Sequence, residues 1–334
     1  MSRRKLTDQQ KRRIAQRRST PQSSATHATG LEPPQLGLIT AHFGRQVEVE
    51  GLEAPWQGIR QTCHQRANLG SLVTGDQVIW CPSALDHQPG VIESVQPRRS
   101  LLARPDTRGK MKAIAANIDQ LFLVLAPEPE AHSLLIDRYL VAAELAGITP
   151  VLLLNKADLF KTLPEASERL KQLTQRYVQL GYPLMHTSHL QPDSLEALSA
   201  QLKDRISVFV GQSGVGKSSL INHWLPDIDL AVGALSEETR KGRHTTTTAR
   251  LFHFPLGGQL IDSPGIRDFS LEHLSDADIA LGFREFHPYL GHCRFRDCRH
   301  DQEPGCALRE AVKSGAIDPA RFESFRHLTQ QLTP

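Results

Sequence analysis

The sequence predicts a multidomain α/β protein: a small OB-like β-barrel, then a doubly wound, mostly parallel sheet, then a helical C-terminal domain. Three observations predict it. Five short strand candidates punctuated by glycines crowd residues 36–100. From about residue 112, apolar runs of the kind that form buried parallel strands alternate with helical patterns. From about residue 277 the chain reads as helical around a tight cysteine cluster. The expected divisions are a disordered basic arm over 1–35, the barrel over 36–103, the α/β domain over 104–274 and the helical domain over 275–334.

The chain has 334 residues, 39% hydrophobic and 22% charged, as in ordinary globular proteins of two or three domains. Its longest apolar run, Leu121 to Ala126, is far too short to span a bilayer. The N-terminus lacks the apolar centre of a secretory signal, so a cytoplasmic protein with no membrane partner is expected. Residues 1–18 carry eight basic side chains against Asp8, a net of +7, which leaves −4 on the remainder of a chain whose total is +3. A basic arm on a mildly acidic body suggests a polyanionic partner, most simply nucleic acid. The arm turns Ser/Thr/Pro/Gln-rich through Pro33-Pro34, a composition that does not pack.

In the barrel the strand candidates are Leu38-Ile39, Val47–Val49, Gly58–Arg60, Gln77–Trp80 and Val91-Ile92. Arg45, Arg60, His64 and Arg66 are candidate RNA contacts on it. The α/β strands are expected at Leu121–Leu125, Val151–Leu154, Leu184–Thr187, Ile206–Val210, Ala249–Phe254 and Gln259–Ile261. Helices are expected near 133–146, 165–180, 193–204 and 217–225, with two more at Ala307–Gly315 and Pro319–Gln331. In such a domain ligands sit at the carboxyl ends of the strands.

After the strand at 206–210 comes Gly211-Gln212-Ser213-Gly214-Val215-Gly216-Lys217-Ser218-Ser219, and after that a helical pattern. This is the phosphate-binding P-loop in its strand–loop–helix context. The glycines let backbone N–H groups close round a phosphate, and the helix N-terminus adds partial positive charge. Lys217 is expected to reach the β- and γ-phosphates and Ser218 to offer its hydroxyl to Mg²⁺. After the strand at 151–154 comes Asn155-Lys156-Ala157-Asp158. A carboxylate there can accept hydrogen bonds from N1–H and the 2-amino group of guanine, a donor pair that adenine lacks. Thr187 and Ser188, after the strand at 184, are candidates to support the base edge. Asp262-Ser263-Pro264-Gly265 fits an acidic residue that holds Mg²⁺ through water, then a glycine N–H on the γ-phosphate.

Between the P-loop and Asp262 lies Gly242-Arg243-His244 followed by Thr245 to Thr248. A threonine here, Thr246 or Thr247, would ligate Mg²⁺ while the γ-phosphate is present, which makes a switch; the run also suits the start of the next strand. The residue after Gly265 is Ile266, where Ras-like enzymes carry a water-orienting Gln, so slow intrinsic turnover is expected. His244 is the candidate substitute. The order of these motifs is inverted, since Asn155 precedes Gly211 and ordinary small GTPases have the P-loop first; in this the chain resembles the circularly permuted GTPases.

Cys293-x4-Cys298-x-His300-x5-Cys306 offers three thiolates and an imidazole within 14 residues, a Cys₃His set for one structural, tetrahedral Zn²⁺ with no open position. His292 competes with His300 as a ligand. Cys63 and Cys81 stand apart and read as buried thiols. Arg294, Arg296 and Arg299 stud this zinc knuckle.

Basic arm, barrel, permuted P-loop domain with GQSGVGKSS and DSPG, and the C-x4-C-x-H-x5-C knuckle together resemble the bacterial small-ribosomal-subunit biogenesis GTPases, over about residues 36–330. The resemblance implies hydrolysis of GTP to GDP and phosphate stimulated by the small ribosomal subunit, a part in its late maturation, and contact with 16S rRNA through the flanking domains. Lys217, Ser218, Asp262, Asn155 and Asp158 match the family's functional positions, and Ile266 agrees with its pattern. A monomer is expected. Two rivals are a free-standing NTPase with incidental polyanion contacts and a non-enzymatic RNA-binding scaffold; the intact Lys217-Ser218 pair argues against the second.

Overall fold

A computed structural model describes residues 30–330 except 45, 86, 106–108, 227–248, 263–270 and 272. The N-terminal arm to residue 29, Arg45, His244, Thr246, Thr247, Gly265 and Ile266 therefore lie outside the described residues.

Five strands, β1 (Gln35–Phe43), β2 (Gln46–Gly51), β3 (Arg60–Gln65), β4 (Gln77–Cys81) and β5 (Gly90–Val95), close into the expected barrel. Closure comes from β1, which pairs with β2 on one side and β4 on the other. Inward residues Ile39, Val49, Cys63, Val78, Trp80 and Ile92 form its core. The third strand starts at Arg60, later than the expected Gly58, because Gly58 turns the chain at φ 75° and donates its N–H to the Gly51 carbonyl. Arg60 and Arg66 lie at 2.8 Å from Glu50 and 2.5 Å from Glu93, so barrel carboxylates already neutralise these two candidate RNA contacts.

A hairpin that the sequence pattern did not announce, β6 (Leu101–Pro105) and β7 (Met111–Ala116), spans the boundary expected at 103/104. Beyond it all six expected α/β strands form: β8 (Gln120–Leu125), β9 (Thr149–Leu154), β10 (Leu184–His186), β11 (Ile206–Val210), β12 (Arg250–His253) and β13 (Gln259–Asp262). Their order is β10-β9-β8-β11-β13-β12, parallel except for β12. β8 is buried along its whole length, as a continuous apolar run in a parallel sheet must be.

Alternate residues of β8 and β9 point to opposite faces of the sheet. Leu121, Leu123, Leu152 and Leu154 pack with α1 (Ser133–Ala146) and α2 (Pro164–Gln179). Phe122, Val124, Val151 and Leu153 pack with α3 (Pro192–Leu202) and α4 (Lys217–Trp224). This is the doubly wound arrangement. β12 pairs with β1 at Ala41 and Arg250, so barrel and α/β sheet run on as one 11-stranded sheet.

The C-terminal domain contains α5 (Asp276–Leu281), a short 3₁₀ turn (Arg284–Phe286), α6 (Ala307–Lys313) and α7 (Pro319–Gln330). It docks on α1 and α2 through Arg321, which is fully buried. That guanidinium pairs with Asp137 of α1 and, at 2.7 Å, with Glu285, and it lies 4.4 Å from the centre of the Phe283 ring. Tyr177 of α2 donates to Asp137 at 2.7 Å. Burial opposes the charge on Arg321, but Asp137 and Glu285 outweigh it and hold the group protonated. Arg284–Glu144 (2.5 Å) and Arg176–Asp318 (2.6 Å) complete the seam. Removing one partner of a buried ion pair leaves an uncompensated charge in low dielectric. Arg321→Met should therefore lower stability by about 3–5 kcal/mol, read from the urea midpoint of the full chain.

Candidate functional site

The site forms where β8, β9, β11 and β13 end. β11 and β13 lie parallel with Ser207 opposite Leu260, which brings Asp262 level with the last residues before the P-loop. The P-loop runs from Gly211 into α4, with Gly211, Gly214 and Gly216 all at positive φ. At Gly211 a Cβ would meet the Val124 carbonyl oxygen at 2.3 Å. At Gly216, φ 93°, it would meet Asn155 Nδ2 at 2.4 Å. Glycine is required at both positions by space as well as by backbone conformation.

The second contact is the informative one. Asn155 is buried and its Nδ2 donates to the Val215 carbonyl at 2.8 Å. A residue of the Asn155–Asp158 loop thus holds the backbone of the P-loop, 60 positions later in sequence. Lys156 takes a left-handed conformation, φ 56°, and its Nζ donates to the Glu128 carbonyl. Ala157 N–H donates to Thr187 O at 3.1 Å, and Thr187 N–H to Leu154 O at 2.8 Å. Ser188 Oγ donates to Asp158, and the Ser188 N–H is itself held by Ser194 Oγ at 3.0 Å. The expected base-reading residues Asn155, Asp158, Thr187 and Ser188 are thereby brought into one loop cluster against the P-loop. Ser194, on α3, belongs to this cluster and was not singled out by sequence; its place as the third residue of the helix after Ser188 was the available signal.

Asn155 Oδ1 and Thr187 Oγ1 are buried without a hydrogen-bond partner, an arrangement suited to a polar ligand at this edge. Lys217 Nζ donates to the carbonyls of Gly211 and Gln212, at 2.9 and 2.6 Å. Its ammonium therefore curls over the loop that its own helix closes, within reach of anything the loop binds. Gln212, Ser213, Ser218 and Ser219 complete the loop and first helical turn. Asp262 closes β13 opposite Arg250 of β12.

The cysteine cluster makes a second centre. Ligand atoms of Cys293, Cys298, His300 and Cys306 all lie within 4.8 Å of one another, and His292 is not in the group. His300 Nδ1 is 3.5 Å from Cys293 Sγ and 3.4 Å from Cys306 Sγ. A tetrahedral Zn²⁺ with ordinary bond lengths requires about 3.5 Å between a nitrogen and a sulfur ligand. Burial, with the neighbouring Cys293 and Cys306 thiols, pushes Cys298 up to about 12, so without a cation this thiol stays protonated. Burial also lowers His300, which favours the neutral imidazole a metal needs. Glu303 accepts the N–H groups of Arg299, Asp301 and Gln302 and so shapes the loop between the last ligands. The group can bind a metal, with no ligand position left for chemistry.

The sequence pattern described as RsgA GTPase matches residues 95–272. The small ribosomal subunit biogenesis GTPase RsgA of Ectopseudomonas mendocina is 56% identical over 318 residues, covering 95% of this chain and 92% of that protein. The protein of the same name from Chromohalobacter salexigens is 54% identical and covers 100% of this chain and 99% of its own length. Among solved structures, YjeQ from Thermotoga maritima superposes with a TM-score of 0.71 at 32% identity, over 90% of this chain and 99% of that one. YloQ, a circularly permuted GTPase, gives 0.69 at 25% identity over 93% and 99%.

Gly216→Ala should separate the two loops, through a Cβ driven into Asn155 and a strained left-handed alanine. Affinity for fluorescent GDP should fall by about 100-fold or more, with melting lowered by only a few degrees.

Proposed function

The chain belongs to the RsgA GTPase family and hydrolyses GTP, and from that premise we propose that it acts in small ribosomal subunit biogenesis: it binds the subunit and its 16S rRNA, and turns GTP over faster when bound there. The observation that carries the nucleotide half of this reading is the Asn155–Val215 hydrogen bond, which ties a guanine-reading loop to a phosphate-gripping one. The ribosomal half is supported by the names of relatives more than half identical over nearly the whole length. The basic stretch over residues 1–18, with its net charge of +7, supports an RNA partner. Work on the ribosome makes the cytoplasm its place, and one copy per subunit is the simplest stoichiometry.

In this reading the P-loop N–H groups from Gly211 to Ser219 cradle the phosphates and Lys217 leaves its loop carbonyls for the β- and γ-oxygens. Asp158 accepts N1–H and the 2-amino group of guanine, pre-aimed by Ser188, while Asn155 and Lys156 brace the base against the P-loop. Ser218, Asp262 and a threonine of the 245–248 run, Thr246 or Thr247, would hold Mg²⁺. When bound, that ion neutralises charge developing on the β- and γ-phosphate oxygens. Gly265 N–H meets the γ-phosphate, and His244 orients the attacking water, since Ile266 is apolar where a glutamine would serve. The bond that breaks joins the γ-phosphorus to its bridging oxygen, and GDP leaves with that oxygen. Cys293, Cys298, His300 and Cys306 would hold Zn²⁺ as a structural centre, which fixes a knuckle bearing Arg294, Arg296 and Arg299 for RNA phosphates.

Phosphate release should be slow with the protein alone and rise at least tenfold with purified small subunits, for GTP and not for ATP. His244→Ala should lower that rate with GTP affinity unchanged; equal single-turnover rates would remove His244 from the mechanism. Cys306→Ser, or a strong chelator, should release one zinc per chain by elemental analysis and melt the C-terminal helices while GDP binding persists.

A further inference from the structure

Besides the β1–β12 pairing, the barrel meets the α/β domain at the turn before β4. Thr74 and Asp76 are buried there. Thr74 Oγ1 donates to the Ala249 carbonyl at 2.8 Å, a buried bond across 175 positions. The Thr74 carbonyl accepts from Ala116 N–H at 2.9 Å. Gly75 sits at φ 90°, and a Cβ on it would lie 2.1 Å from the Ala116 carbonyl oxygen and 3.2 Å from Ile261 Cδ1. Its carbonyl accepts from Asn117 Nδ2 at 2.8 Å. The turn is itself braced: Asp76 accepts Val73 N–H at 2.9 Å and pairs with Arg98 Nε at 2.6 Å.

Ala249 and Ile261 each neighbour a residue to which the hydrolysis chemistry is assigned. Ala249 directly follows the threonine run and precedes β12. Ile261 directly precedes Asp262 on β13. We infer that Thr74, a barrel residue outside every nucleotide-binding motif, is a positioning residue for GTP hydrolysis: its hydroxyl, bonded to the Ala249 carbonyl at the start of β12, fixes the β12–β13 pair, and with it Asp262, relative to the P-loop. The inference rests on the reading of Asp262 as a Mg²⁺-holding residue. The P-loop and the Asn155–Asp158 loop hang from other strands, so Thr74 acts on turnover and leaves nucleotide binding to them.

Thr74→Val keeps the shape and leaves the Ala249 carbonyl buried without its donor. In the full-length protein kcat should fall about tenfold and the Mg²⁺ concentration giving half-maximal rate should rise at least threefold. GDP affinity measured without Mg²⁺ should stay within about twofold, and Thr74→Ser should restore both kinetic quantities. Wild-type turnover and Mg²⁺ dependence in Thr74→Val would overturn the inference. So would a parallel loss of kcat, GDP affinity and melting temperature that serine does not rescue, since that marks packing alone. If the wild-type protein itself turns over GTP without Mg²⁺, the reading of Asp262 fails first and the inference falls with it.

Discussion

One hydrogen bond, from Asn155 Nδ2 to the Val215 carbonyl, makes a single site from two loops of opposite order in the chain. Both partners are held before they meet. Asn155 follows β9 and its N–H is fixed by Leu125 O at 2.7 Å, at the end of the neighbouring strand. Val215 lies in a loop whose glycines at 211 and 216 leave no room for any other residue. Because each loop hangs from a strand buried on both faces, the separation of the Asn155–Asp158 loop from the P-loop is a property of the sheet. Permutation of the chain is harmless to such a site, since strand neighbours are kept while the connections move.

The two flanking domains are attached by different chemistry. The barrel is joined largely through main-chain groups, namely the β1–β12 pairing, the carbonyls of Thr74, Gly75 and Ala249 and the amide of Ala116, with the Thr74 hydroxyl, the Asn117 amide and the Glu50–His253 pair as the side-chain partners. Such bonds are directional and specify distance closely. The C-terminal domain is joined through side chains, with three arginines, Arg321, Arg284 and Arg176, each meeting a carboxylate across the seam. Arg321 carries the most weight, because it is wholly buried and faces two carboxylates with aromatic rings beside it. Val141 of α1 packs into the C-terminal core, so the same helix serves two hydrophobic clusters.

What could be read from sequence follows from where the information is local. β8 and β9 were legible as unbroken apolar runs, and α2 and α3 had prolines at their starts. The P-loop, the Asn155–Asp158 loop and the Cys293, Cys298, His300 and Cys306 cluster were legible because the chemistry expected of them fixes both residue type and spacing. The β6–β7 hairpin was not, since neither strand alternates cleanly and a bulge shifts the register between Leu102 and Ala103. Arg321 was not either: an arginine on a mostly polar helix reads as solvated until Asp137 and Glu285, both distant in sequence, are seen to enclose it. The fusion of barrel and α/β sheet depends on one residue pair, Ala41 and Arg250, which no periodicity announces.

The inverted order has a consequence for how the parts act on one another. In this chain β12 and β13 come last in the α/β domain, with the C-terminal domain following directly. β12 is also the strand that meets the barrel. The segment between the P-loop and Asp262 therefore lies between two fixed anchors, α4 at its start and a strand clamped by the barrel at its end. In an unpermuted order the chain ends would fall elsewhere and these strands would be flanked by the domain's own helices. Permutation here places the barrel in hydrogen-bonded contact with β12 and lets the C-terminal domain follow β13 in the chain. A load on the barrel thereby reaches β12 and β13 through buried hydrogen bonds.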